Sequence, residues 1–388
     1  MWEAMLFFCL LLGNLGRIQL TPSLAIYAHD IALLIFVIVS SYRMIKNPVK
    51  VKKYFLSTPF LFVIVVCIVS LLANVTRFAG SDVLIGAAYG IRFFLYFVLY
   101  LLVRNDTRPT IYWLTWLFLL GIAFAGLGFI QLYIYPDLRN LSYVGWDPHY
   151  YRLFATLLDP NFMGAILVLS FMSGVAVLKR VHEKVWSIGG LAVIFVAFLF
   201  TFSRSSYLAA IAGLLTYIVL SKKWKYLYML GMLCVAILIV PAIGGESTTL
   251  FRQLTALARI ANWQEGIQLF LKSPILGYGF NMVGAIPHNT PTLALGAVAR
   301  SASGYDNSIV FMLVTTGVVG LVAFAQLGKK YIELGKRVVQ KKNHELGLLY
   351  IALCVAMLVH SMFVNTLFYP QLMLCFWILT GSVEKEGK

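Results

Sequence analysis

Long apolar runs, separated by short polar or basic segments, dominate this chain. About twelve runs reach or approach the roughly 20 residues that a membrane-crossing helix needs. They lie near 3–18, 23–42, 54–74, 82–103, 110–133, 160–178, 185–202, 205–221, 225–243, 308–328, 346–364 and 366–383. The first run lacks the basic start and the small-residue cleavage site of a signal peptide, so we predict that it is the first span. Because it is short, the alternative is that it lies partly in the membrane interface. The pattern predicts an all-α integral membrane protein with about twelve transmembrane helices.

One long connection, residues 244–307, interrupts this rhythm. We therefore predict nine spans within 1–243, a large loop over 244–307 and three spans within 308–388. Inside the loop, residues 247–272 begin with helix-capping Ser and Thr, carry apolar residues at helical spacing and precede the turn-forming sequence PILGYG. This segment is predicted to be an amphipathic helix that lies along the membrane surface.

Composition supports a membrane protein and limits the chemistry. Hydrophobic residues make up 61% of the 388 residues and charged residues only 12%, which is too apolar for a soluble domain of this size. The five cysteines all lie inside apolar runs without metal-ligand spacing. We therefore expect neither a disulfide framework nor a zinc site.

The distribution of basic residues predicts the orientation of the chain. Most of the 31 Lys and Arg residues fall on alternate loops, which the positive-inside rule places in the cytoplasm together with both termini. The net charge of +16 is then mainly a topology signal, and we do not expect nucleic-acid binding.

Arginine predominates on the opposite side. The basic residues predicted to lie there are Arg17, Arg77, Arg139, Arg152, Arg204, Arg252, Arg259, Lys272 and Arg300. The planar guanidinium group suits two-point recognition of phosphate, so this side is predicted to hold an anionic, phosphorylated ligand. The alternative is that these arginines only anchor spans at lipid headgroups. Arg92 lies inside the fourth span and is costly there unless it is paired or close to an aqueous cavity; we predict that it lines a cavity.

Two features of the long loop and its end concern this predicted ligand. Arg252 and Arg259 are seven residues apart and share one helix face, with Trp263 one turn further on. Asp306 and Asn307 stand where the tenth span begins. They either cap that helix or hold a carboxylate at the membrane boundary, where it can accept a proton from a hydroxyl group, and the two roles are compatible.

Four segments, in this order and with this spacing, resemble the O-antigen ligase and polymerase superfamily of bacterial membrane glycosyltransferases. They are YRLFATLLDPNFMGAILVLS (151–170), FTFSRSS (200–206), RIANWQEGIQLFLKSPILGYGF (259–280) and DNSIVFMLVTTGVVG (306–320). Each segment is a weak signal alone, and the specificity comes from the whole set.

The resemblance implies a GT-C-type, inverting, metal-independent glycosyltransferase without a cofactor, in the bacterial cytoplasmic membrane with its active site facing outward. The donor would be an oligosaccharide linked through diphosphate to a polyprenyl lipid such as undecaprenol, and the acceptor a hydroxyl group of a glycan or glycolipid. Membrane lipid would be the remaining partner. Arg204 and Arg259 would bind the diphosphate, and we add Arg252, which shares the helix face of Arg259. Further substrate contacts are predicted for Arg92, Arg152, Asn161, Trp263 and Asn307.

The chain departs from the family pattern at one position. Where ligases have a His-Asn pair whose histidine is the proposed base, this chain has Asp306. Aspartate is a weaker base than histidine, and His288 on the same loop is an alternative. This difference favours a polymerase, which extends another lipid-linked glycan, over a ligase that uses a lipid A-core acceptor.

Two other functional classes fit less well. A transporter of an anionic lipid-linked sugar would use the same arginines, but we find neither internal repeats nor interrupted spans near the middle of the membrane. A scaffolding protein would leave the arginine-rich loop unexplained. We therefore rank the glycosyltransferase first.

Overall fold

The computed structural model describes residues 2–21, 24–46, 54–144, 146–181, 184–240, 248, 253–286, 304–341 and 343–387. In these residues the α-helices are α1 (Trp2–Leu11), α2 (Ala28–Lys46), α3 (Ser57–Ala73), α4 (Gly80–Asn105), α5 (Thr110–Ile134), α6 (Pro160–Leu178), α7 (Lys184–Phe200), α8 (Arg204–Ser221), α9 (Leu227–Ile239), α10 (Gln253–Lys272), α11 (Ser308–Gln340), α12 (His344–Ser361) and α13 (Pro370–Glu386). A two-stranded antiparallel hairpin consists of β1 (Arg17–Thr21) and β2 (Leu24–Tyr27).

Several of these helices are able to cross a membrane. Within the described residues, seven are long and apolar enough: Ser57–Arg77, Gly80–Asn105, Thr110–Ile134, Pro160–Leu178, Arg204–Ser221, Ser308–Gln340 and His344–Ser361. Lys184–Phe200 and Trp224–Ile239 are apolar but shorter. The protein is thus mostly helical, and its helices have the length and composition typical of a membrane protein. The count of twelve spans stays a prediction.

The N-terminal part differs from the sequence prediction. The run 3–18 was expected to form one span, but α1 ends at Leu11 and the hairpin of β1 and β2 precedes α2. Gly13, at φ +52°, adopts the left-handed conformation that often follows a helix. After it, RIQLT alternates polar and apolar residues, which is the period of a strand. The fold is therefore mostly rather than wholly α-helical.

Helix α6 is packed against α5, α7, α8, α12 and α13. Small residues allow the closest approaches. A Cβ atom on Gly164 would lie 2.3 Å from Ser206 Oγ of α8, and one on Gly121 of α5 would lie 2.3 Å from Ser170 Cβ of α6. Such close packing of small residues is a common way for helices to associate in membranes. At Gly164 it brings the first turns of α6 and α8 together.

Helix α11 is broken at Gly317, and the segment that follows α10 docks into the break. This break interrupts the predicted tenth span, in which the sequence analysis expected no interruption. Gly317 has φ 67° and ψ −165°. The amides of Tyr278 and Gly279 donate to the carbonyl oxygens of Val314 (2.9 Å) and Thr315 (3.0 Å). In return, the amide of Val318 donates to the Pro274 carbonyl at 2.8 Å. The PILGYG motif therefore supplies partners for backbone groups that the break releases, and it ties the end of α10 to α11.

The substitution Gly317→Ala is expected to destabilise the protein. The backbone conformation at Gly317 is accessible almost only to glycine, and forcing alanine into it costs about 1–3 kcal/mol. The new Cβ would also lie 2.2 Å from the Ile275 carbonyl oxygen. Thermal unfolding in detergent measures the change. Gly328→Ala, in the same helix with no atom within 4 Å of the new Cβ, is the control and should unfold at or above the wild-type temperature. Equal melting temperatures for the two variants would contradict the role of the break.

Candidate active site

The predicted Ser-Arg turn forms the start of α8. Ser203 is the N-cap residue, and its hydroxyl oxygen accepts a hydrogen bond from the amide of Ser206 at 3.3 Å. Arg204 is the first helical residue. Residues 201–203 and 205–207 are buried, whereas Arg204 is partly exposed. The turn is therefore buried except for the cationic side chain of Arg204.

A buried polar network holds this turn. The Ser203 hydroxyl donates to Asn161 Oδ1 at 3.0 Å, and the Ser206 hydroxyl lies 2.8 Å from Ser203 Oγ. His360 Nε2, at the end of α12, lies 3.2 Å from Ser205 Oγ and 3.1 Å from Ser206 Oγ. The side chain of Asn161, predicted to contact substrate, thus contributes to the network that shapes the turn.

Arg152 contacts the same turn from another direction. Its Nε donates to the Thr201 carbonyl at 3.0 Å and one terminal nitrogen donates to the Phe202 carbonyl at 3.3 Å. The other terminal nitrogen lies 3.3 Å from His149 Nδ1, and the arginine is only 5% exposed. The sequence predicted a substrate contact for Arg152, and in the structure its guanidinium group binds the backbone that leads into Arg204.

Three residues of α10 contact Asp306. Arg259 Nε lies 3.8 Å from Asp306 Oδ2, within ion-pair range but too far for a hydrogen bond. Asn262 Oδ1 accepts from the Asp306 amide at 3.0 Å, and the Trp263 indole nitrogen donates to the Asp306 carbonyl at 3.2 Å. The main chain of Asp306 is therefore fixed by α10, while its carboxylate is 37% exposed.

Asn307 caps α11 and joins it to α12. Its side-chain oxygen accepts from the amides of Ile309 (2.8 Å) and Val310 (3.2 Å). Its side-chain nitrogen donates to the Met362 carbonyl at 2.9 Å. The sequence left the capping role open between Asp306 and Asn307, and the structure assigns the cap to Asn307. Its amide group, predicted to contact substrate, holds two helix ends together.

The two arginines that the sequence singled out lie near one another. Arg259 is close enough for its positive charge to act on the Arg204 guanidinium and on the His360 ring. Among the described residues, the buried Nε of Arg259 has no hydrogen-bond partner. Two neighbouring guanidinium groups repel each other, and an anion placed between them would relieve that repulsion. The geometry suits a ligand with more than one negative charge.

Arg92 is paired. Its guanidinium lies 2.8 Å from Asp30 Oδ2, and the Tyr96 hydroxyl donates to Asp30 Oδ1 at 2.8 Å. The pair lies against the hairpin, because the amide of Tyr27 also donates to Asp30 at 3.0 Å. An ion pair accounts for an arginine within an apolar span without a ligand.

Two predicted site residues, Arg252 and His288, lie outside the described residues. Among the residues that are described, no group of three or more His, Cys, Asp or Glu side chains is placed to hold a metal ion.

Sequence analysis missed two residues at this end of the helix bundle. His360 is fully buried in the network around the turn, and the signal that could have revealed it is an ionisable side chain inside an apolar run. Asp159 caps α6 by accepting from the amides of Asn161 (2.6 Å) and Phe162 (3.4 Å). Burial, together with the charge of Asp147, raises the pKa of Asp159 to about 6.

Comparison with known proteins bears on part of this arrangement. Comparison with the curated proteins finds no match. Residues 189–325, which run from α7 into α11, match the family model described as O-antigen ligase. The resemblance to the O-antigen ligase and polymerase superfamily is therefore confirmed over the part of the chain that contains Arg204, Arg259 and Asp306.

Proposed function

We propose that this protein transfers a glycan from a polyprenyl-diphosphate carrier to an acceptor hydroxyl group at a membrane surface. The observation that carries the proposal is the convergence of Arg204, Arg259 and Asp306, inside the segment that matches the O-antigen ligase family. Two guanidinium groups suit a diphosphate, and a neighbouring carboxylate suits an acceptor hydroxyl.

The proposed reaction is a single displacement. The acceptor oxygen bonds to the anomeric carbon of the donor while the bond from that carbon to the diphosphate oxygen breaks, so the configuration inverts. The electron pair of the broken bond leaves with polyprenyl diphosphate, and the acceptor proton passes to Asp306. Arg204 and Arg259 stabilise the negative charge that develops on the leaving group, which is the contribution that would make a metal ion unnecessary. We assign Arg252 a supporting place beside this diphosphate.

The membrane arrangement that goes with this reaction is a GT-C-type bundle of about twelve spans. Spans one to nine would occupy 1–243 and spans ten to twelve 308–388, with 244–307 as the outer loop. Both termini and the lysine-rich loops would face the cytoplasm, as the positive-inside rule requires. The active site would then face the periplasm or the cell exterior of a bacterial cytoplasmic membrane.

We propose a polymerase, in which the acceptor is a second lipid-linked glycan. The basis is Asp306, which stands where ligases have a histidine. A ligase that uses a lipid A-core acceptor is the second candidate, and the match to a family described as O-antigen ligase favours it. A transporter of an anionic lipid-linked sugar would need the same two arginines, and the match to a family described as O-antigen ligase does not favour it.

Reconstitution separates these candidates. Purified protein is mixed with an undecaprenyl-diphosphate oligosaccharide, without another acceptor and with EDTA, and the glycan products are sized. We expect a ladder of lengthening glycans. A single transfer that appears only after a core glycolipid is added would replace the polymerase by a ligase. If neither product forms but the protein moves the oligosaccharide lipid across a vesicle membrane, glycosyl transfer is the wrong activity.

A further inference from the structure

The turn that presents Arg204 is strained. Phe202 has φ +47°, in the left-handed region that a bulky side chain rarely adopts. Strain of this kind costs about 1–3 kcal/mol and persists only where the surroundings enforce it. Arg152 holds one side of the turn through the Thr201 and Phe202 carbonyl groups. The other side, the first turn of α8, contacts His360.

His360 has hydrogen-bond partners at both ring nitrogens. Nδ1 lies 2.5 Å from Thr366 Oγ1, and the Thr366 hydroxyl can itself donate to the Val364 carbonyl at 3.2 Å. Nδ1 can therefore carry the proton and donate to Thr366. Nε2 is then left to accept from the hydroxyl of Ser205 or Ser206.

This pattern describes a neutral histidine. In a doubly protonated ring, Nε2 would donate to a serine oxygen instead of accepting from a serine hydroxyl. The charged ring would also be fully buried and near the positive charge of Arg259, and both the burial and the like charge disfavour it. His360 is 0% exposed, so it does not face a substrate.

We propose that His360 is a positioning residue for Arg204. It anchors Ser205 and Ser206, the two residues after Arg204, and thereby keeps the guanidinium group beside Arg259, where the donor diphosphate binds. This inference rests on the proposed function, because it concerns the same diphosphate site. The proposal also gives a role to the connection between α12 and α13, which contains Thr366. This connection contacts the residue next to Asp306 as well, because the Asn307 side chain donates to the Met362 carbonyl.

The first test is the binding of undecaprenyl diphosphate in detergent, measured by titration. His360→Leu removes both polar contacts, and we expect it to weaken binding about 10-fold, the effect of one or two lost hydrogen bonds. His360→Gln places an acceptor near the position of Nε2 and should recover most of the affinity. Thr366→Val removes the partner of Nδ1 and should weaken binding by a smaller factor. Ser361→Ala is the matched control, since the Ser361 hydroxyl donates to Leu358 of its own helix, and it should bind as wild type does.

The second test asks whether His360 works through Arg204. If it does, adding His360→Leu to Arg204→Lys should weaken binding much less than His360→Leu does alone. The proposal would be overturned if His360→Leu weakened binding by the same factor in the wild type and in Arg204→Lys. Full affinity in both His360→Leu and Thr366→Val would overturn it as well. If Arg204→Ala itself leaves binding unchanged, the donor site is wrong and the proposal falls with it. If Arg204→Ala weakens binding and the His360 and Thr366 variants do not, only the role of His360 is wrong. Should His360→Leu not fold, His360→Gln and Thr366→Val still decide.

Discussion

Replacing either Arg204 or Arg259 by alanine is expected to lower the rate of glycan transfer at least about 100-fold, the loss typical for one preorganised group that stabilises developing negative charge. Arg204 lies at the start of α8 and Arg259 lies within α10. Their guanidinium groups are close enough for one charge to act on the other. In the proposed reaction, each would therefore contribute to binding the same leaving group. The measurement is the turnover of an undecaprenyl-diphosphate oligosaccharide by purified protein.

A matched control is available in Arg77. It is an exposed arginine just after α3, and we predict that it lies on the same side of the membrane. Arg77→Ala should leave turnover near the wild-type value, and all three variants should insert into the membrane and elute as folded protein. Normal turnover in Arg204→Ala or Arg259→Ala would remove that arginine from the site.

Asp306→Asn is expected to lower turnover by about 10²–10⁴-fold, the range associated with loss of a general base. The substitution preserves shape and removes only the charge. Asn262 and Trp263 bind the main chain of Asp306, so these contacts survive the change. The affinity for undecaprenyl diphosphate should change far less than the turnover, because the proposed base would act on the acceptor and not on the diphosphate.

His288→Ala provides the comparison for Asp306→Asn. We expect its turnover to fall much less, since Asp306 is the group beside Arg259. If His288→Ala is the more damaged of the two variants, the base is His288 and the carboxylate of Asp306 serves mainly to orient Arg259. Equal and small effects in both variants would leave neither residue as the base.

The ends of several helices followed from sequence because local chemistry sets them. Pro160 and the Asp159 cap start α6 at the first residue of the predicted run, and the Ser203 cap starts α8 within one residue of its prediction. The hairpin at 17–27 was missed. Its strands are short, so a search for runs of about 20 apolar residues assigned parts of them to the neighbouring predicted spans, 3–18 and 23–42.

The sequence by itself determined that this is a mostly helical protein rich in segments that are long and apolar enough to cross a membrane. The order of its motifs also gave the resemblance to a superfamily that the family match confirms over 189–325. Both follow from local information, since apolar runs and short motifs are contiguous in the chain. Only the tertiary structure decided what each polar side chain contacts. Arg92 meets Asp30, Arg152 binds the backbone at 201–202, and His360 reaches Ser205 across more than 150 residues of chain. Such contacts depend on how helices pack, and a buried polar group takes whichever partner that packing places within hydrogen-bonding distance.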